Sequence, residues 1–474
     1  MSVIRTSIPA RLDRLPWSRW HWAVVIGLGI TWILDGLEVT MVGSVGSRLE
    51  DKNTLALSAA NVGDAASAYL LGAVAGALVF GYLTDRFGRK KLFLVTLVWY
   101  LVSTLLTACS WDFASFACFR FLTGLGIGGE YSAINSTIDE LIPAARRGIV
   151  DIAINGTYWF GAILGSGASI FLLNPHFVDQ LYGWRIAFGI GAVLAVAIVF
   201  VRTALPESPR WLLMHDRVDE ANATIDQIEA IVENEKGPLA PANGSLAIDP
   251  KRRHSLADVW HTMIGTYPKR TIVAFSLMIA QAFLYNAIFF TESLVLGTFF
   301  NVPPENVGYY IFPFALGNLL GPLALGHFFD TIGRRVMIAG TYAFSGIGLA
   351  ITGMLFVSGA LDATTITICW CAIFFVASAG ASSAYLTASE IFPLEVRAMA
   401  IAIVYAVGTL AGGVAAPALF GALIATKQPK MVAIGYAIGA AAMLAAACVQ
   451  WFFGIEAAGK KLEDVATPLG ATAA

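Results

Sequence analysis

The sequence predicts an all-α membrane protein, with twelve transmembrane helices in two pseudo-symmetric six-helix bundles. Three observations carry that prediction. The chain of 474 residues is 57% hydrophobic and 13% charged, with a mean hydropathy of +0.71. A soluble chain of that length needs far more charge to cover its surface. Apolar runs of about 20 residues recur, each long enough to cross ~30 Å of hydrocarbon as a helix. Two motifs also occur twice, about half a chain apart.

The apolar runs are centred near residues 33, 73, 100, 126, 160, 193, 283, 316, 346, 376, 411 and 443. Strands of a membrane barrel would be about half as long and would alternate apolar with polar residues, so a barrel is excluded. The runs suggest five segments: a lead-in at 1–20, an N-terminal bundle at 21–202, a linker at 203–268, a C-terminal bundle at 269–454 and a tail at 455–474. Within the linker, "VDEANATIDQIEAIV" has helical apolar spacing and should form amphipathic helices on the cytoplasmic face. Most of the 30 Lys and Arg fall on one side of the membrane if both termini are cytoplasmic. That bias sets the expected orientation in the cell membrane.

Charge and cysteine usage exclude several classes. A net charge of −2, with basic residues spread over many loops, gives no nucleic-acid partner. The five cysteines, at 109, 118, 369, 371 and 448, lie in or at the ends of the spans. Cys369 and Cys371 are two apart on a helix and face different ways, so no disulfide or metal site is indicated. The basic N-terminus precedes a helix too long for a secretory signal, without a clear cleavage site, and reads as a cytoplasmic lead-in. No nucleophile–base pair or metal cluster suggests an enzyme, and no cofactor is expected.

"GYLTDRFGRK" at 81–90 and "GHFFDTIGRR" at 326–335 share one spacing: Gly, Asp four residues on, then Gly-Arg-basic. "DELIPAARRG" at 139–148 matches "SEIFPLEVRA" at 389–398, pairing Glu140 and Arg147 with Glu390 and Arg397. The offsets, 245 and 250 residues, make the chain two homologous halves. These doubled motifs resemble the major facilitator superfamily over nearly the whole chain. "PESPRWL" at 206–212 and "SEIFPLEVR" are similar to its sugar-porter-like branch, with organic-ion, phosphate and synaptic-vesicle-type relatives. The resemblance implies alternating access around one site near the midplane, and a conformational latch at Gly81, Asp85, Arg86, Gly88, Arg89 and Lys90. Asp330 and Arg334 repeat it in the second half.

"GLGIGG" at 124–129 satisfies a dinucleotide-loop pattern, but no strand precedes it and no βαβ unit surrounds it. Its glycines are expected instead to thin a membrane helix for close packing. Four charged residues lie within the first half's spans: Asp35, Glu38, Arg120 and Glu130. An unpaired Arg at that depth is very costly, so Arg120 should find a partner among the acids. Glu130 is about 15 Å along the same helix, beyond direct reach. Three acids against one Arg leave an excess of carboxylate, which burial resolves by holding protons on some of them. Asp35 and Glu38, three residues apart on one helical face, are therefore expected to carry protons beside a water-filled cavity. The phosphate and synaptic-vesicle-like branches look similar here.

In the second half, Gln281 and Asn286 match two positions of the sugar-porter Gln-Gln-x-x-Gly-x-Asn pattern, while Ala280 and Leu284 replace its first Gln and its Gly. Ala381, Ser382 and Tyr385 stand where Gly, Pro and Trp are usual, and the C-terminal ending is reduced to "GIEAAGKK". These departures weaken a hexose reading and leave polar groups for another small solute. Candidate substrate contacts are Gln281, Asn286, Trp159, Tyr385 and Asn318. Gln281 and Asn286 lie about 140° apart around a helix, so one cavity could use both only if the helix breaks or the site wraps around it. The expected function is proton-coupled symport of a small organic solute by a monomer, a monocarboxylate before a sugar or polyol and then an organic cation. The rival from another class is a non-transporting nutrient sensor.

Overall fold

A computed structural model describes residues 4–203, 206–242, 246–248, 256–393 and 397–456. The first half contains α2 (Arg19–Leu49), α3 (Ala59–Phe87), α4 (Arg89–Ala108), α5 (Phe113–Leu141), α6 (Ala144–Leu172) and α7 (Gln180–Thr203). The second contains α11 (Pro268–Phe289), α12 (Glu292–Phe300), α13 (Val307–Thr331), α14 (Arg334–Ser358), α15 (Ala363–Glu390), α16 (Arg397–Gly408), α17 (Ala415–Ala425) and α18 (Pro429–Phe453). Among the described residues, nine stretches are long and apolar enough to cross a membrane. The remaining long helices, α5, α6 and α7, have 29, 29 and 24 residues. Two spans are composite. The seventh is α11 and α12, interrupted at Phe290–Thr291, and the eleventh is α16 and α17, joined by a π-helical turn at Thr409–Val414. Such π turns widen a helix and occur often at functional sites.

Local chemistry sets the helix ends. Ser58 accepts from the Asn61 amide to start α3, and Asp362 accepts from the Thr365 amide to start α15. Pro268 and Pro429 open α11 and α18, where a missing N–H costs nothing. Packing between helices is then set by the small residues. A Cβ at Gly124 or Gly128 of α5 would collide with the carbonyls of Tyr69 or Ala73 in α3. The "GLGIGG" segment thus brings two helix backbones into contact, as membrane helices do when lipid offers no competing hydrophobic drive.

Leu49, at the end of α2, and Gly88, between α3 and α4, mark opposite faces of the molecule. Tight contacts between the halves lie toward the Leu49 face. A Cβ on Gly63 of α3 would strike the backbone of α17, and one on Gly308 of α13 would strike Ser169 and Ile170 of α6. Arg48 of α2 also bonds Glu305, which precedes α13, at 3.2 Å.

One module was not legible as such. Residues Ile4–Thr6 form β1, paired antiparallel with β2 (Leu246–Ile248) from the segment between the halves. Next to them α1 (Ile8–Asp13) packs with α8 (Pro209–Met214) and α9 (Val218–Lys236), burying Ile8, Leu12, Leu213, Ile225 and Val232 together. Arg11 and Arg14 both bind the Glu229 carboxylate of α9. The amphipathic face of α9 therefore packs on protein.

Candidate functional site

The first part of the site is an ion pair between α2 and α5. Arg120 Nη1 donates to Glu38 Oε1 at 2.7 Å, with the two side chains 0% and 2% exposed. The guanidinium also lies over the Tyr69 ring, 4.3 Å from its centroid, and 5.6 Å from that of Phe188. Cation–π contact of this kind strengthens when water is excluded. The pair is incompletely satisfied, since Glu38 Oε2 and Arg120 Nε and Nη2 have no hydrogen-bond partner. Asp35 and Glu130 are buried as well.

The second part is a set of aromatic rings across the halves. Trp159 of α6 meets Tyr285 and Phe289 of α11 at centroid distances of 6.0 and 6.2 Å. The Tyr285 hydroxyl donates to Asn318 Oδ1 at 3.1 Å, and Asn318 Nδ2 donates to the Phe314 carbonyl. Phe374 lies edge-on to Tyr285 at 4.9 Å and beside Phe314 at 4.6 Å. The two parts connect through the break in the seventh span: Tyr69, which covers Arg120, packs on Phe290 at 6.0 Å, and Phe290 on Phe289 at 6.4 Å. A ring-shaped solute would find flat partners here, and a polar edge would find a hydroxyl and an amide.

Gln281 and Asn286 do not converge. Gln281 Oε1 accepts from the Tyr342 hydroxyl of α14 at 3.4 Å. Asn286 Nδ2 donates to its own helix at Ala282, 2.7 Å away, and faces Gly413 of the π turn. The span breaks beyond both residues, so α11 is continuous between them and holds them apart. Trp370, an isolated aromatic in the sequence, is wholly buried in the C-terminal core. The side chains of Tyr385, Asp85, Arg89, Glu140, Arg147, Asp330, Glu390 and Arg397 lie outside the described residues.

The doubled motif has partners that the sequence did not reveal. Gly88 and Gly333 adopt φ of +102° and +110°, which a side chain rarely tolerates. A helix starts immediately after each. The Glu207 carboxylate accepts from the Lys90 amide at 3.3 Å, and Glu456 accepts from the Arg334 and Arg335 amides at 2.9 and 3.2 Å. A carboxylate at a helix N-terminus satisfies orphan donors and complements the helix dipole, worth ~0.3–1 kcal/mol at the surface. Glu207 lies in "PESPRWL" and Glu456 in "GIEAAGKK", so the reduced ending keeps its acidic cap. Gly81 is half-buried and Arg86 exposed.

At the Leu49 face, Arg48 is nearly buried and donates to Asp51, the Leu173 carbonyl and Glu305. Burial pushes the neighbouring Glu50 carboxyl up to about 7, with Lys427 opposing and Asp51 adding to the shift.

Comparison with known proteins agrees with this architecture. The model of the family described as "Sugar (and other) transporter" matches residues 43–468. The chain is 27% identical over 461 residues to the niacin transporter NiaP of Acinetobacter baylyi, covering 96% of this chain and 99% of that one. It is 29% identical over 418 residues to the putative metabolite transport protein YyaJ of Bacillus subtilis, covering 87% of each. Among solved structures, a D-xylose–proton symporter superposes with a TM-score of 0.71 at 20% identity, covering 93% of this chain and 99% of that one. An inward-open, partially occluded form of the xylose transporter XylE from E. coli gives 0.71 at 18%, covering 94% and 100%. With two six-helix halves and paired Gly-Arg turns, and with residues 43–468 matched, the chain belongs to the sugar (and other) transporter family of the major facilitator superfamily.

Proposed function

We propose that this transporter couples proton entry to uptake of a small monocarboxylic acid carrying a planar ring. The buried Glu38–Arg120 pair, with donors to spare on the guanidinium, is the observation that supports it most. In the empty carrier the Glu38 carboxylate neutralises Arg120. When a proton binds Glu38, the cation loses its counter-charge, and a substrate carboxylate can replace it. One proton and one monoanion then enter with no change in the charge of the site. Arg120 is covered by Tyr69 in the present state, and Tyr69 rests on Phe290 at the break in the seventh span. A shift of that break would uncover the guanidinium while Trp159, Tyr285 and Asn318 hold the ring. Asp35 and Glu130 extend the proton path on the same two helices. Gln281 and Asn286, from their separate faces, and Tyr385 would act around the solute. The Gly81–Lys90 motif, its copy at Asp330 and Arg334, and the Glu140/Arg147 and Glu390/Arg397 pairs would serve as the latch on the Gly88 face.

Orientation completes the proposal. The basic turns after Gly88 and Gly333 support a cytoplasmic Gly88 face, with both termini on that side and the Leu49 face outside. The relative named as a niacin transporter points toward a pyridine carboxylate, which has the ring and charge that the site suits. A sugar or polyol is the second reading, favoured by the relatives named for xylose and myo-inositol and by the Asn318–Tyr285 hydrogen bond. Counterflow exchange in proteoliposomes separates them, with labelled nicotinate, xylose and myo-inositol as probes. Nicotinate exchange without xylose exchange is expected. Exchange of xylose alone would replace the weak-acid reading, and exchange of none would remove both readings and point to another solute class.

A further inference from the structure

Glu292 is a buried acid that the coupling scheme leaves unused. It begins α12, one residue beyond the break, and is 1% exposed, with neither carboxyl oxygen hydrogen-bonded. Among the described residues, the elements packed on α12 bring no positive charge free to pair with it. On α2, Arg48 is engaged by Asp51, Leu173 and Glu305, and Glu38 by Arg120. Asp35 lies further toward the Gly88 face. Tyr309 and Tyr310 lie at the near end of α13, His327 and Asp330 at its far end, and α17 has no titratable group. Among the described residues, Cys371 of α15 and Tyr436 of α18 lie within electrostatic reach of Glu292. An ionised carboxylate cannot remain in such a place without a partner, so the group is neutral in this state.

The start of α12 and the end of α11 form a closed seam with α2 on the Leu49 face, which is the outer face on the orientation proposed above. A Cβ on Gly46 of α2 would lie 2.7 Å from Ser293 Oγ, and one on Gly43 would lie 2.6 Å from the Phe289 carbonyl. Opening the seam must move α12 away from α2, and water then reaches the start of that helix. We propose that Glu292 is a gating proton site: closing the outer seam binds one proton from the outer solution at this carboxyl, and opening returns it. The proton protonates the carboxylate to a carboxylic acid and is not passed to Glu38. External acid therefore closes the seam, independently of the solute.

The test uses the full-length protein in nanodiscs without substrate, so its outcome is separate from the weak-acid proposal. Spin labels carried by unnatural amino acids at Asn53 and Gln428, exposed on the two halves, report the seam by pulsed dipolar spectroscopy. Linkage of one proton makes the closed-to-open ratio rise about tenfold per pH unit of acidification across the titration window. In Glu292→Gln the slope is expected to fall by that factor, with the closed population at alkaline pH raised to the acid-limit value. Glu292→Leu, which can neither bind nor donate a proton, must behave likewise. A wild-type population that ignores pH overturns the proposal. So does a slope unchanged in either variant, whether Glu50 or another acid carries it.

Discussion

Glu38→Gln is expected to abolish accumulation driven by a pH gradient while leaving counterflow exchange measurable. Glutamine keeps a hydrogen-bond acceptor near Arg120 but supplies no charge and takes up no proton. The substrate carboxylate then supplies the counter-charge that Glu38 gave the guanidinium, so loaded carriers can reorient and empty ones reorient far less readily. Stability should fall as well, because removing one member of a buried pair leaves the other uncompensated, at a cost of about 3–5 kcal/mol. The guanidinium's stacking on Tyr69 and the retained acceptor put the expected loss at the lower end of that range. Thermal unfolding in detergent measures the loss, and saturating substrate should restore part of it. Full accumulation by Glu38→Gln under an imposed proton gradient would remove Glu38 from the coupling step.

Tyr285→Ala should weaken solute binding more than either helix-11 amide substitution. It removes a ring that touches Trp159 and Phe374, and it strips Asn318 of its donor. A buried polar group left unpaired costs ~1–3 kcal/mol, and loss of the ring contact adds about 0.5–1.5 kcal/mol. Tyr285→Phe separates the two, since it keeps the ring and loses only the hydroxyl. Gln281→Ala should be the milder change, because Gln281 already bonds Tyr342 of its own half. Titration calorimetry against the solute identified by exchange checks the order. Normal binding by Tyr285→Ala with failed binding by Gln281→Ala would move the site toward α14.

Hydropathy and the doubled motifs made the fold legible, because a membrane span and a repeat are both signals carried by many residues. The glycines of "GLGIGG" were legible for the same reason: close helix approach needs several of them in register. The need of Arg120 for an acid was readable from the cost of an unpaired charge, but the choice of Glu38 depends on how α2 and α5 rotate against each other. Tyr285 was hidden, since one aromatic among many in an apolar helix carries no pattern. A break in the seventh span was one of two conditions under which Gln281 and Asn286 could share a cavity, and the break lies beyond both. It sits at Phe290–Thr291 without a proline or glycine to mark it, and Asn286 bonds back to its own helix instead of bridging to Gln281. Glu207 and Glu456 could have been found, since they lie 249 residues apart in segments that follow the last span of each half. The pairing of β1 with β2 was beyond reach, because three-residue strands far apart in sequence leave no periodic trace.

The coupling account is tested most directly by comparing two driving forces in proteoliposomes that contain this protein alone. A proton moving with a neutral solute carries one net charge, which a membrane potential drives with about 2.3 kcal/mol per 100 mV. A proton moving with a monocarboxylate carries none. Solute uptake is therefore expected to respond to an inwardly directed pH gradient and to be indifferent to a potassium-diffusion potential at matched pH, with the lumen acidifying as solute enters. Uptake driven by the potential, or solute entry without lumenal acidification, would contradict the exchange of Glu38 for a substrate carboxylate at Arg120.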